Sequence, residues 1–158
     1  MTSPYINDQT ARAETAVALG RLLADSYIIY LKTQGFHWNV VGPQFEPLHT
    51  LFQDQYTELA QAIDDVAERI RALGAKAPAS FSEFKELTSI SEETGAPAAD
   101  AMIRQLLSDH TTAARTALQV VTAAESRGDV ATADIATQRI EQHEKTAWML
   151  SSMLQRSK

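Results

Sequence analysis

The chain has 158 residues, 44% hydrophobic and 22% charged, a composition that suits one soluble domain with a packed core. It contains no cysteine, which excludes disulfides, thiolate metal sites and thiol nucleophiles. The formal net charge of -6 argues against a surface that neutralises DNA phosphates everywhere, leaving room only for a local basic patch.

No apolar run approaches the ~20 residues that span a bilayer, and the N-terminus lacks a basic segment followed by an apolar one. No membrane span and no signal peptide are expected, so the default location is cytoplasmic.

After a short tail of about residues 1–7, the first helical pattern covers residues 8–39. Asp8 is placed to cap it, and Val17, Leu22, Leu23, Ile28 and Leu31 form an apolar face at helical spacing. Gly42 and Pro43 break the pattern. A second helix is expected over residues 47–73, with Pro47 in its first turn, where a missing amide hydrogen costs nothing. Leu48, Leu51, Phe52, Leu59, Ile63, Val66 and Ile70 give its inner face, and Gly74 supplies the stop. In the irregular stretch that follows, Ser80 precedes Glu83 by three residues, the capping-box pattern of a short helix over residues 80–87. Two more long helices are expected over residues 98–125 and 130–155, joined by the turn SRGD. Low glycine content and the absence of strand alternation point to an all-α four-helix bundle with a short extra helix between the second and third long ones.

The candidate chemistry falls on the first two helices. His37 ends the first, and His49 lies near the start of the second. Further along the second helix, Asp64 and Glu68 stand four residues apart, on one face, where two carboxylates can share a cation. Spacing alone favours a solvated face, since Asp65, Arg69 and Arg71 are interleaved. Imidazole with carboxylate oxygen suits iron or zinc better than calcium or magnesium. His49 and Asp64 are fifteen residues apart on one helix, which separates them by roughly 22 Å. They can share a metal only if a second copy runs antiparallel beside the first, as a twofold axis arranges.

The motif F-H-W-N-V-x-G-P-x-F-x-x-L-H-x-x-F (36–52), then Y-x-E-L (56–59) and I-D-x-x-A-E-R-I-x-x-L-G (63–74), resembles the Dps family of ferritin-like mini-ferritins. H-E-K-T-A-W-M-L (143–150) continues the match. The resemblance implies a hollow homododecamer that oxidises Fe(II), with peroxide as the usual oxidant, at ferroxidase centres on twofold interfaces. Fe(III) mineral is then stored inside, protecting the cell and its DNA from oxidative damage. Carried over residue by residue, His37 and His49 come from one subunit, and Asp64 and Glu68 from its neighbour. Iron is the expected substrate and zinc a competing ion. Trp38 and Trp148 fall where relatives keep an aromatic near the centre, in interface packing or in electron transfer.

Relatives usually carry Asp or Glu four residues after the second histidine, where this chain has Gln53. An amide oxygen brings no charge, so a weaker second metal position is expected. His143 is a further candidate ligand, with bundle packing as the alternative; His110 has no identifiable partner in the sequence. Glu125, Asp129 and Asp134 surround the last turn, where relatives line threefold pores with acids that draw cations inward. Asp129 equally suits the N-cap of the last helix.

A DNA-compacting protein with a secondary iron role is the alternative reading, and would add a nucleoid association. Residues 1–11 contain no Lys or Arg, the first lysine is Lys32, and the C-terminus offers only Arg156 and Lys158. DNA binding is therefore expected to be weak or absent, although many copies would multiply a weak contact.

Overall fold

The computed structural model describes residues 8–154. Its helices are α1 (Gln9–Asn39), α2 (Phe45–Ala72), α3 (Phe81–Leu87), α4 (Ala99–Glu125) and α5 (Val130–Leu154). The expected tail over residues 1–7, the last residue of the expected final helix and the C-terminal cations lie outside the described residues.

Local chemistry sets the helix ends. The Asp8 carboxylate accepts from the amides of Thr10 and Ala11 at 2.9 and 3.3 Å. Ser80 accepts from the amide of Glu83, the expected N-cap bond, and donates its hydroxyl to the Glu83 carboxylate. Gly74, at φ +91°, takes the left-handed backbone that stops α2. The start of α2 differs from expectation. It begins at Phe45 rather than Pro47, because the Phe45 amide already reaches the Gly42 carbonyl at 3.1 Å and opens the turn. Pro47 still sits among the first-turn amides that have no partner within the helix.

Side-chain pairs fix the directions. From Tyr30–Tyr56 to His37–His49, α1 advances as α2 recedes, so these two run antiparallel. Asp25–Thr116 and Lys32–Asp109 make α4 antiparallel to α1 in the same way. Glu58–Arg139 and Arg69–Thr132 make α5 antiparallel to α2. α4 is therefore parallel to α2, and the connection containing α3 must carry the chain back along the bundle. Fully buried Asp25 anchors that crossover, accepting from the Thr88 hydroxyl and Ser89 amide as well as from Thr116. Lys32 meets Asp109 at 2.8 Å nearby. Burial pushes the Asp109 carboxyl above its ordinary pKa, and the Lys32 ammonium pulls against it.

Buried hydroxyls on α1 cost little because Thr15, Ser26 and Thr33 each donate to a carbonyl one turn back. Of the apolar face expected on α1, Leu22, Leu23 and Ile28 are buried, whereas Val17 and Leu31 are 53% and 44% exposed. Helical periodicity collects apolar positions, but does not tell core from uncovered surface. At the end of the bundle that carries His37 and His49, Phe36 and Phe52 pack at 6.3 Å over Ile29, Leu48, Leu106 and Leu150. Truncating fully buried Phe52 to alanine would cost about 3–5 kcal/mol and loosen both helix ends. Among the described residues, no helix is long and apolar enough to cross a membrane.

Candidate metal centre

The last four carbonyls of a helix lack intrahelical partners. In α1 the Phe36 carbonyl is satisfied by the Val40 amide. The His37 carbonyl is met instead by Nδ1 of His49, at 2.7 Å. The relation is reciprocal, since Nδ1 of His37 lies 2.6 Å from the His49 carbonyl. A carbonyl only accepts, so each Nδ1 carries a hydrogen, and Nε2 is the ring nitrogen left to offer a lone pair to a metal. Backbone bonds of this kind hold metal-ligating imidazoles in one tautomer and orientation. The two rings stack at 3.7 Å between centroids with planes 13° apart. Phe45 stacks on the outer face of the pair at 4.9 Å from His49, and Tyr56 presents its ring to His37 at 5.3 Å and 77°.

Gln53, one turn beyond His49, is exposed. Asp64 and Glu68 are also exposed on α2, towards its far end. The structure therefore joins the two histidines to each other and leaves the two carboxylates apart from them. Among the described residues, no group of three or more His, Cys, Asp or Glu side chains in the single chain is placed to hold a metal. The carboxylates face outward, whereas His49 is half-buried and His37 is 7% exposed. Trp38 and Trp148 are 62% and 67% exposed, and Val41 beside the histidines is 76% exposed.

The acids near the last turn divide. Glu125 and Asp134 are exposed, and Asp134 accepts from Gln138. Asp129 is buried, caps α5 through the Thr132 amide at 3.0 Å, and pairs with Arg69 at 2.8 Å. Of the two roles open to Asp129, capping is the one the structure displays.

His143 and His110 lie together inside the bundle, Nδ1 to Nδ1 at 2.9 Å. Both Nε2 atoms are buried without a hydrogen-bond partner, as are both amide atoms of Gln55. Burial, with Arg139 nearby, lowers the His110 pKa to about 3 and that of His143 well below its ordinary value. Both are neutral at pH 7. Sequence reading gave no role to Tyr56, although its place in Y-x-E-L, seven residues or two turns after His49, puts it on the same face.

A bundle with this helix order and crossover, with histidines and carboxylates on α1 and α2, is ferritin-like, and the ferritin-like domain family matches residues 16–158. A low temperature-induced protein of Nostoc sp. is 40% identical over 139 residues, 87% of this chain and 78% of its own length. DNA protection during starvation protein 2 of Bacillus anthracis is 35% identical over 136 residues, 86% of this chain and 93% of its own. The crystal structure of the Dps protein from Vibrio cholerae O1 is similar with a TM-score of 0.91 at 31% identity, over 98% of this chain and all of that one. That protein is described as one of the ferritin-like diiron-carboxylate proteins. The chain belongs to the Dps family.

Proposed function

We propose that this chain is the subunit of an iron-storing shell, a ferroxidase that oxidises Fe(II) with hydrogen peroxide at centres shared by twofold-related subunits. Fe(III) then hydrolyses and accumulates as mineral inside a hollow dodecamer. The observation that carries this reading is the reciprocal bond between His37 and His49, which ties each Nδ1 to a carbonyl and leaves each Nε2 as the donor for a metal, with His37 buried and His49 half-buried. Imidazoles held in a fixed orientation suit Fe(II), and zinc competes for the same donors. The missing negative charge comes from Asp64 and Glu68 of the partner subunit, brought alongside when a second α2 runs antiparallel. Exposed Trp38, Val41 and Phe45 around the histidines support a contact there, because clustered apolar side chains on a surface mark an interface.

Two Fe(II) ions at one centre supply the two electrons that peroxide needs, so no hydroxyl radical is released. The Bacillus anthracis relative is named for DNA protection; in this chain such protection comes from removal of iron and peroxide rather than from coating. The test loads the assembled protein anaerobically with Fe(II), adds peroxide and follows Fe(III) absorbance. Two Fe(II) oxidised per peroxide is the expected result. Oxidation no faster than in protein-free buffer, or unchanged in His37→Ala/His49→Ala, overturns the reading.

A further inference from the structure

Aromatic rings continue from the histidine pair along the α1–α2 seam without a gap. Tyr56 meets His37 at 5.3 Å, Tyr30 meets Tyr56 edge-on at 6.0 Å, and Tyr27 meets Tyr30 at 5.8 Å. The Tyr30 hydroxyl accepts from Gln34 Nε2 at 3.1 Å, and all three tyrosines are half-buried. Packing explains one such contact, but three phenols in series from an oxidising centre also form a path for electrons. Trp38 follows His37 in the chain, yet it points outward at 62% exposure, and no ring contact ties it to either histidine.

Gln53 gives this path a use. With an amide at that position, the second Fe(II) is held with one carboxylate fewer and more weakly, so at low iron a centre fills with a single Fe(II) first. One Fe(II) gives one electron, and reduction of peroxide to water takes two. We propose that Tyr56 supplies the second electron when the centre holds one Fe(II), and that Tyr30 and Tyr27 carry the resulting hole along α1. The inference rests on the ferroxidase reading above.

The step balances. Fe(II) becomes Fe(III) by losing one electron, and Tyr56 loses one electron and its phenolic proton to become a tyrosyl radical. Hydrogen peroxide takes both electrons, that proton and one from solvent; its O–O bond breaks and two waters form. The radical moves when Tyr30 gives Tyr56 a hydrogen atom equivalent, and Tyr27 then gives one to Tyr30. A later Fe(II) with one solvent proton restores the phenol and becomes Fe(III). Two Fe(II) are oxidised per peroxide, but at different times.

The assembled protein is loaded anaerobically with one Fe(II) per centre, mixed with hydrogen peroxide and freeze-quenched for electron paramagnetic resonance. A tyrosyl signal, identified by its narrowing with ring-deuterated tyrosine, is expected in the unmodified protein and is lost in Tyr56→Phe, which keeps the ring packing. Tyr30→Phe lengthens the lifetime of the Tyr56 radical, and Trp38→Phe keeps the signal. At two Fe(II) per centre, Gln53→Glu lowers its yield. A tyrosyl signal unchanged in Tyr56→Phe, or a signal carried by tryptophan and lost in Trp38→Phe, overturns the proposal. Normal oxidation with no radical removes the relay and leaves the ferroxidase reading standing. Absence of peroxide-driven oxidation in the unmodified protein removes both.

Discussion

Arg69 and Asp129 stand 60 residues apart in sequence and meet at 2.8 Å, with Asp129 also capping α5. Asp129 is 2% exposed, so its charge is engaged within the chain. This separates it from Asp134, the neighbouring acid that the family resemblance groups with it as a candidate for cation entry. Replacing Asp129 with alanine removes the cap and strands the Arg69 guanidinium, lowering stability by about 3 kcal/mol. Asp134→Asn should leave stability unchanged and slow Fe(II) uptake at low iron, by less as salt screens the field. Denaturation midpoints and initial uptake rates at two ionic strengths check both. A stable Asp129→Ala variant, or equal uptake by Asp134→Asn at low salt, contradicts these roles.

The His110–His143 pair makes stability fall with acid. Unfolded imidazoles bind protons near pH 6.5, whereas folded His110 does so only near 3 and His143 well below its ordinary value. Between these values the unfolded chain carries more protons, so stability present at pH 7 is lost as pH falls below 6.5. The loss is about 1.4 kcal/mol per pH unit for each histidine. Arg139, one turn from His143 on α5, adds repulsion against either imidazolium. Denaturation midpoints between pH 6.5 and 5, above the range where most carboxylates titrate, should fall less steeply in His110→Gln/His143→Gln. Parallel slopes in the two proteins would show that the pair is not buried and neutral.

What was legible in the sequence was what acts locally. Asp8, Ser80 and Gly74 set helix ends through bonds or backbone angles within four residues. Apolar spacing along α2 identified Leu48, Phe52, Leu59, Val66 and Ile70, all buried. Pairings across the bundle were not legible. His110 seemed to have no partner because His143 lies 33 residues away. Asp25 is one acid among many in sequence, yet it holds the crossover to α1 and α4. At the candidate centre the histidines and carboxylates were readable as residue types. The reciprocal ring-to-carbonyl bonds were not, because they depend on two helix ends being turned against each other.

Gln53→Glu should tighten the second Fe(II) position. Residue 53 lies one turn from His49 and is exposed, so a carboxylate there adds negative charge beside the imidazole without burying it. Anaerobic Fe(II) titration of the assembled variant should resolve a tighter second binding event. An unchanged isotherm would mean that residue 53 does not reach the metal.

Sharing of the centre between subunits can be tested by mixing two defects. One subunit type carries His37→Ala and His49→Ala, the other Asp64→Ala and Glu68→Ala. Shells of either type should assemble and oxidise Fe(II) poorly, since every centre lacks half its donors. In a mixed twofold dimer one centre collects both defects, and the other unites intact histidines with intact carboxylates. Random co-assembly makes half the dimers mixed, so roughly a quarter of all centres regain a full set under twofold exchange. Co-expressed subunits should recover about that fraction of the unmodified rate, whereas blending finished shells of the two types should recover none. If mass spectrometry finds mixed shells and the activity stays absent, the histidines and carboxylates do not share a metal. The roughly 22 Å between His49 and Asp64 along α2 would then separate two unrelated features instead of two halves of one centre.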